Sequence, residues 1–152
     1  MNKQTCYRHA QGFLDTGKML LGISSQNGLL FLKNYFSPCV MNLSFSCELS
    51  LKLMYFLETG KEKKHEHRLK ELYNLLSPEV RERIKNKYIS KEGICTFENC
   101  MESNNNNFAD YRYLHEEGKN GVGSHPWDLR KLAESMIEVA GEMLQEAEEN
   151  AH

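Results

Sequence analysis

The chain has 152 residues, 40% hydrophobic and 26% charged, a composition that excludes a disordered or fibrous body and fits one domain spanning 1–152. A net charge of −2 excludes a whole-chain basic field. No run of about 18 uncharged apolar residues occurs, so no membrane-spanning helix is expected, and the polar start Met1-Asn2-Lys3-Gln4-Thr5 leads to the expectation of a cytoplasmic protein without a signal peptide.

Tyr7, Ala10, Leu14 and Leu21 recur at helical steps, predicting a helix from Tyr7 to about Gly22. Ser24 to Gly28 reads as a loop, and Leu29 to Phe36 as a short helix. Pro38 to Glu58 is apolar on nearly every side, the pattern of a central buried helix, with Thr59-Gly60 as its end. Ser37-Pro38 and Ser77-Pro78 each place a hydroxyl cap before a first-turn proline, and Ser124-His125-Pro126 is similar. A charged connector, Lys61 to Glu66, precedes helices over 67–76 and 78–88. Phe97 to Ser103 is compatible with helix, and the four asparagines 104–107 predict a break or mobile turn. Helix resumes over 108–117. Gly118 to Ser124 is a glycine-rich loop after a helix, without the dinucleotide fingerprint, and receives no nucleotide site. Trp127 to Glu149 is the strongest amphipathic helix, with Leu129, Leu132, Met136, Val139 or Ala140, Met143 and Ala147 on its stripe. No segment shows sustained period-two alternation, so the fold class is all-α, an antiparallel bundle of four to five main helices.

Five cysteines, Cys6, Cys39, Cys47, Cys95 and Cys100, contain no CxxC pair and read as reduced thiols. His65 and His67 do not share a helical face, so no metal and no cofactor are assigned. Glu134, Glu138, Glu142 and Glu146 recur every four positions and read as a solvated helix face.

Three constellations carry chemistry. Glu48 and Lys52 stand four apart in an apolar helix, glutamate first, the favourable order for an ion pair. Such a pair either anchors the bundle internally or lines a polar groove. Arg112, His115 and Glu116 share a helical face. Guanidinium binds phosphate bidentately and imidazole moves a proton near neutral pH, although Arg112 can instead pair with Glu116 or Glu48. The third is basic: Lys61, Lys63, Lys64, Arg68, Lys70, Arg81, Arg83, Lys85 and Lys87, interleaved with Glu62, Glu66, Glu71, Glu79 and Glu82. It reads as solvated surface or as a polyanion contact, and Lys61, Lys63, Lys64, Arg68, Lys70, Arg81 and Lys85 are its candidate nucleic-acid ligands.

Three segments in this order, Phe45-Ser46-Cys47-Glu48-Leu49-Ser50-Leu51-Lys52, then His67-Arg68-Leu69-Lys70-Glu71-Leu72, then Phe108-Ala109-Asp110-Tyr111-Arg112-Tyr113, followed by an amphipathic helix, resemble prokaryotic members of the HEPN superfamily over residues 37–147. The resemblance implies a bundle of four or five helices, often a homodimer. It also implies a defence or toxin–antitoxin setting in which many members are ribonucleases. Their site pairs an arginine with a histidine across four to six intervening residues. This chain has no such pair; Arg112 and His115 are separated by two residues. Members without the motif act as binding or assembly modules, some beside nucleotidyltransferases. The expectation is therefore a non-catalytic or degenerate HEPN-like protein binding RNA, a nucleotide or a protein partner such as an antitoxin. The alternative is a metal-independent endoribonuclease. In it Arg112 holds the phosphate, His115 transfers the proton, and Glu48, Lys52, His67 and Glu116 form the supporting polar network. A third reading is a structural assembly subunit.

Overall fold

The computed structural model describes residues 1–112 and 125–151, Phe108 and Arg112 by backbone alone. The described residues are helical and contain no strand: α1 (Lys3–Gln26), α2 (Gly28–Leu30), a π-helical turn (Phe31–Tyr35), α3 (Phe36–Thr59), α4 (Leu69–Asn74), α5 (Pro78–Ile89), α6 (Phe97–Ser103), α7 (Asn107–Arg112) and α8 (Pro126–Glu149). The all-α bundle is built on three helices of 24 residues each, α1, α3 and α8, packed against one another. The shorter helices dress this frame: α4 and α7 lie on α3, and α5 lies on α8.

The residues of α3 explain its central place. Cys39, Val40, Leu43, Cys47, Leu51, Leu53 and Met54 point to several sides of the helix and are all fully buried, so both α1 and α8 are needed to cover it. On α1 the inward stripe is Ala10, Leu14, Gly17 and Leu21. A Cβ on Gly17 would stand 2.5 Å from Leu43 Cδ2, so the absent side chain sets how closely α1 approaches α3. The expected end of α3 is present: Gly60 takes φ +71 and donates its N–H to Phe56 O at 2.8 Å, a left-handed cap that glycine adopts without strain. Ser77 caps α5 as expected, its hydroxyl accepting the Val80 N–H.

Three expectations need correction. The loop over 24–28 shrinks to Asn27. Ser24 and Ser25 return their hydroxyl protons to the carbonyls of Leu21 and Gly22, so the polar run stays helical to Gln26. Ser37 does not cap a helix at Pro38, because Pro38 is the third residue of α3. Proline offers no N–H to the carbonyl four residues earlier and crowds it. The preceding turn widens, with Phe36 N–H reaching back to Phe31 O. His125 occupies the cap position of α8 without a side-chain cap bond. The expected break at the asparagine run is a turn at 104–106, and its polar groups are used inside the fold. Asn105 accepts the Leu69 and Lys70 N–H groups through its carbonyl and Oδ1, at 3.3 and 2.7 Å, and so closes the start of α4. The expected helix over 108–117 is described as far as Arg112; its remainder and the loop Gly118–Ser124 lie outside the described residues.

Candidate functional site

The i, i+4 spacing on α3 brings Glu48 and Lys52 together. Lys52 Nζ donates to Glu48 Oε1 at 2.8 Å, with the two residues 8% and 4% exposed. Burying either charge alone would be costly, and the pair offsets that cost. The connector completes the cluster from outside α3. His67 Nδ1 lies 2.9 Å from the same Glu48 oxygen, and the tautomer with its proton on Nδ1 donates there. The Lys64 carbonyl accepts from Lys52 Nζ at 3.5 Å. Glu66 holds the connector in shape: its carboxylate accepts the N–H groups of His67 and Arg68 and the Arg68 guanidinium at 2.9–3.1 Å. Those bonds, the Arg68 side chain first, hold the Glu66 carboxyl down to about 2.

Beside this cluster runs a crevice lined by Ser44, Phe45, Glu48, His67, Asn104 and Asn107, enclosing about 220 Å³ of space between atoms. It is too narrow to admit a water-sized sphere. Asn107 Nδ2 donates to Ser44 Oγ at 2.8 Å and to Asn104 Oδ1 at 2.7 Å, and both asparagines are buried. Glu48 and His67 therefore adjoin a wall of amide and hydroxyl groups. Sequence reading missed this wall, whose one signal was a run of four asparagines.

Of the candidate catalytic pair, Arg112 is the last residue of α7, which packs on α3; His115 and Glu116 lie outside the described residues. The candidate nucleic-acid residues fall into two groups. Lys61, Lys63, Lys64 and Arg68 belong to the connector, where Lys64 pairs with Glu62 at 3.5 Å and Arg68 with Glu66 at 2.9 Å. Lys70 on α4 pairs with Glu102, and Lys85 on α5 with Glu98 at 2.7 Å. Arg81 on α5 lends its carbonyl to the Tyr73 hydroxyl, and its buried Nε has no hydrogen-bond partner among the described residues.

The acidic stripe of α8 is not merely solvated. Arg83 donates to Glu142 and Glu146 at 3.0 and 2.9 Å, Lys87 pairs with Glu142 at 2.6 Å, and Lys91 with Glu138 at 2.8 Å. The numbers ascend on one element and descend on the other, so this is an antiparallel ladder in which four-residue periods match. At the far end Glu134 pairs with Arg130 and Lys18.

The five cysteines are free thiols. Burial pushes Cys39 and Cys100 up to about 12 and Cys47 well above the usual range, so these three behave as small hydrophobes and not as nucleophiles. No cluster suited to a metal ion and no helix long and apolar enough to cross a membrane occurs among the described residues. Comparison with protein-family models, with curated proteins and with solved structures finds no significant match.

Proposed function

We propose that this chain is a HEPN-like RNA-binding protein whose RNA lies along the connector 61–68, across the mouth of the crevice that Glu48 and His67 line. The observation that carries this reading is a His67 side chain, 42% exposed, seated on a buried Glu48 carboxylate that Lys52 already neutralises. The three segments behind the HEPN resemblance supply neighbouring elements: α3 brings Glu48 and Lys52, the connector and α4 bring His67, and α7 carries Arg112 on α3. Around His67 the connector offers Lys61, Lys63, Lys64 and Arg68 against Glu62 and Glu66, a local cationic surplus. Arg83, Lys85 and Lys87 of α5, by contrast, are engaged by α8 and α6. A crevice this narrow favours a strand laid over its mouth above a nucleotide inserted into it.

The same fixed imidazole favours a second reading, a metal-independent endoribonuclease in which Arg112 holds the phosphate and His115 moves the proton. The homodimer, the antitoxin or nucleotidyltransferase partner, the defence role and the cytoplasmic setting belong to this proposal as well.

Fluorescence anisotropy with labelled single-stranded RNA in EDTA tests the binding reading. Binding should weaken steeply with salt, with a slope of about −0.7 per phosphate contacted. No binding at low salt, or a flat salt response, overturns it. Cleavage of the same RNA by the native chain, lost in an Arg112→Ala, His115→Ala variant, would establish the second reading; equal cleavage by both, or none, removes it.

A further inference from the structure

The buried face of α8 carries two charged residues away from the Glu48 cluster, Asp128 at 1% and Lys131 at 8% exposure. Asp128 is partnered on both oxygens, by one hydrogen bond and one close contact. Its Oδ1 accepts the Ile94 N–H at 3.0 Å, and its Oδ2 lies 2.8 Å from His125 Nδ1 as an ion-pair contact without hydrogen-bond geometry. Lys131 differs. Its ammonium stands over the Tyr88 ring, 3.8 Å from the centroid, and among the described residues no carboxylate or other acceptor lies within hydrogen-bonding distance of it. An ammonium on a largely buried side chain, without a direct counter-ion among the described residues, is only partly compensated by a cation–π contact.

The ammonium faces a depression of about 510 Å³ whose other walls include Tyr88, Ile89, Gly93, Cys95 and Phe97. Gly93 keeps it open at the charged end. A Cβ there would stand 2.8 Å from Lys131 Nζ and 2.5 Å from Asp128 Oδ1. One wall is apolar: the rings of Tyr88 and Phe97 meet edge to face at 5.5 Å, and Ile89 is 63% exposed at the rim. The remaining lining is polar, and of its charged members Lys91 pairs with Glu138 and Glu98 with Lys85.

We infer that this depression binds a small monocarboxylate with a flat apolar body, its carboxylate on Lys131 and its body against Phe97 and Ile89. One buried cation calls for one negative charge. The Asp128 carboxylate beside it disfavours a dianion such as phosphate, and the aromatic walls reward an apolar body. This inference is independent of the RNA reading.

The test is an amide-resolved NMR titration of the full chain with benzoate, with benzyl alcohol and inorganic phosphate as comparison probes at constant ionic strength. Benzoate at millimolar concentration should shift the Gly93, Ile94 and Cys95 amides saturably, and the other two probes should bind at least about tenfold more weakly, one decade being about 1.4 kcal/mol. Lys131→Met should abolish the shifts, because it removes the cation and still covers Tyr88. Gly93→Ala, which keeps the lysine and fills the charged end, should also lose them. Absence of benzoate shifts in the native chain, equal binding of benzyl alcohol, or benzoate shifts retained in either variant overturns the assignment.

Discussion

Glu48 and Lys52 meet at 2.8 Å inside the bundle, one turn apart on the same helix, and neither is more than 8% exposed. Removing one partner leaves the other charge buried. Glu48→Ala or Lys52→Ala should each destabilise the protein by about 3–5 kcal/mol, and Glu48→Leu combined with Lys52→Met should recover much of that loss. Urea unfolding of the three variants measures it. Losses below about 1 kcal/mol for the single variants would mean that water reaches the pair.

The ladder between α5 and α8 behaves differently because its members are partly solvated, Glu142 being 40% and Glu146 56% exposed. Arg83→Ala or Lys87→Ala should cost about 0.2–1 kcal/mol each, and the loss should shrink further at high salt. Denaturant midpoints at low and high salt decide this.

The RNA reading separates the two basic groups. Lys63→Ala with Lys64→Ala should flatten the salt slope of RNA binding by about 1.4, two single-strand contacts' worth. Arg83→Ala with Lys87→Ala should leave it unchanged, since those cations already face acids of α8. Anisotropy titrations over a salt series give both slopes.

Acid should destabilise the fold. Cationic partners lower the carboxyls of Glu62, Glu66, Glu98 and Glu142 below their ordinary 4.5, Glu66 to about 2. A group whose folded pKa is depressed stabilises the fold above its unfolded pKa, and that contribution is lost as pH falls through the folded value. The melting temperature should therefore hold from neutral pH to about 5 and decline between 4.5 and about 2. A melting series across that range checks the sign; a rise in acid would contradict it.

Two glycines on facing helices should respond differently to alanine. At Gly17 the new Cβ would meet Leu43 Cδ2 and Cγ at 2.5 and 2.6 Å, inside the packed α1–α3 interface, and overpacking there should cost about 1–3 kcal/mol. At Gly141 the first atom met is the Tyr7 hydroxyl at 2.8 Å, the far end of a half-buried side chain. The helix propensity gained there, about 1 kcal/mol, should leave Gly141→Ala near native stability. Urea midpoints compare the two.

Much of the bundle was readable from spacing. Helical periods gave α1, α5 and α8, the apolar run around Leu51 gave a buried α3, Ser77-Pro78 and Gly60 marked two helix ends, and four-residue spacing paired Glu48 with Lys52. These are contacts within one element, and the geometry of a helix dictates them from residue order alone. Packing alone decided that His67 joins Glu48 from 19 positions away, that Asn107 turns inward to Ser44, that the acids of α8 answer the cations of α5, and that Lys131 lies over Tyr88 without a carboxylate in contact among the described residues. Each of these joins separate elements, and their meeting depends on how the long helices cross and where the connectors return, which no local periodicity encodes.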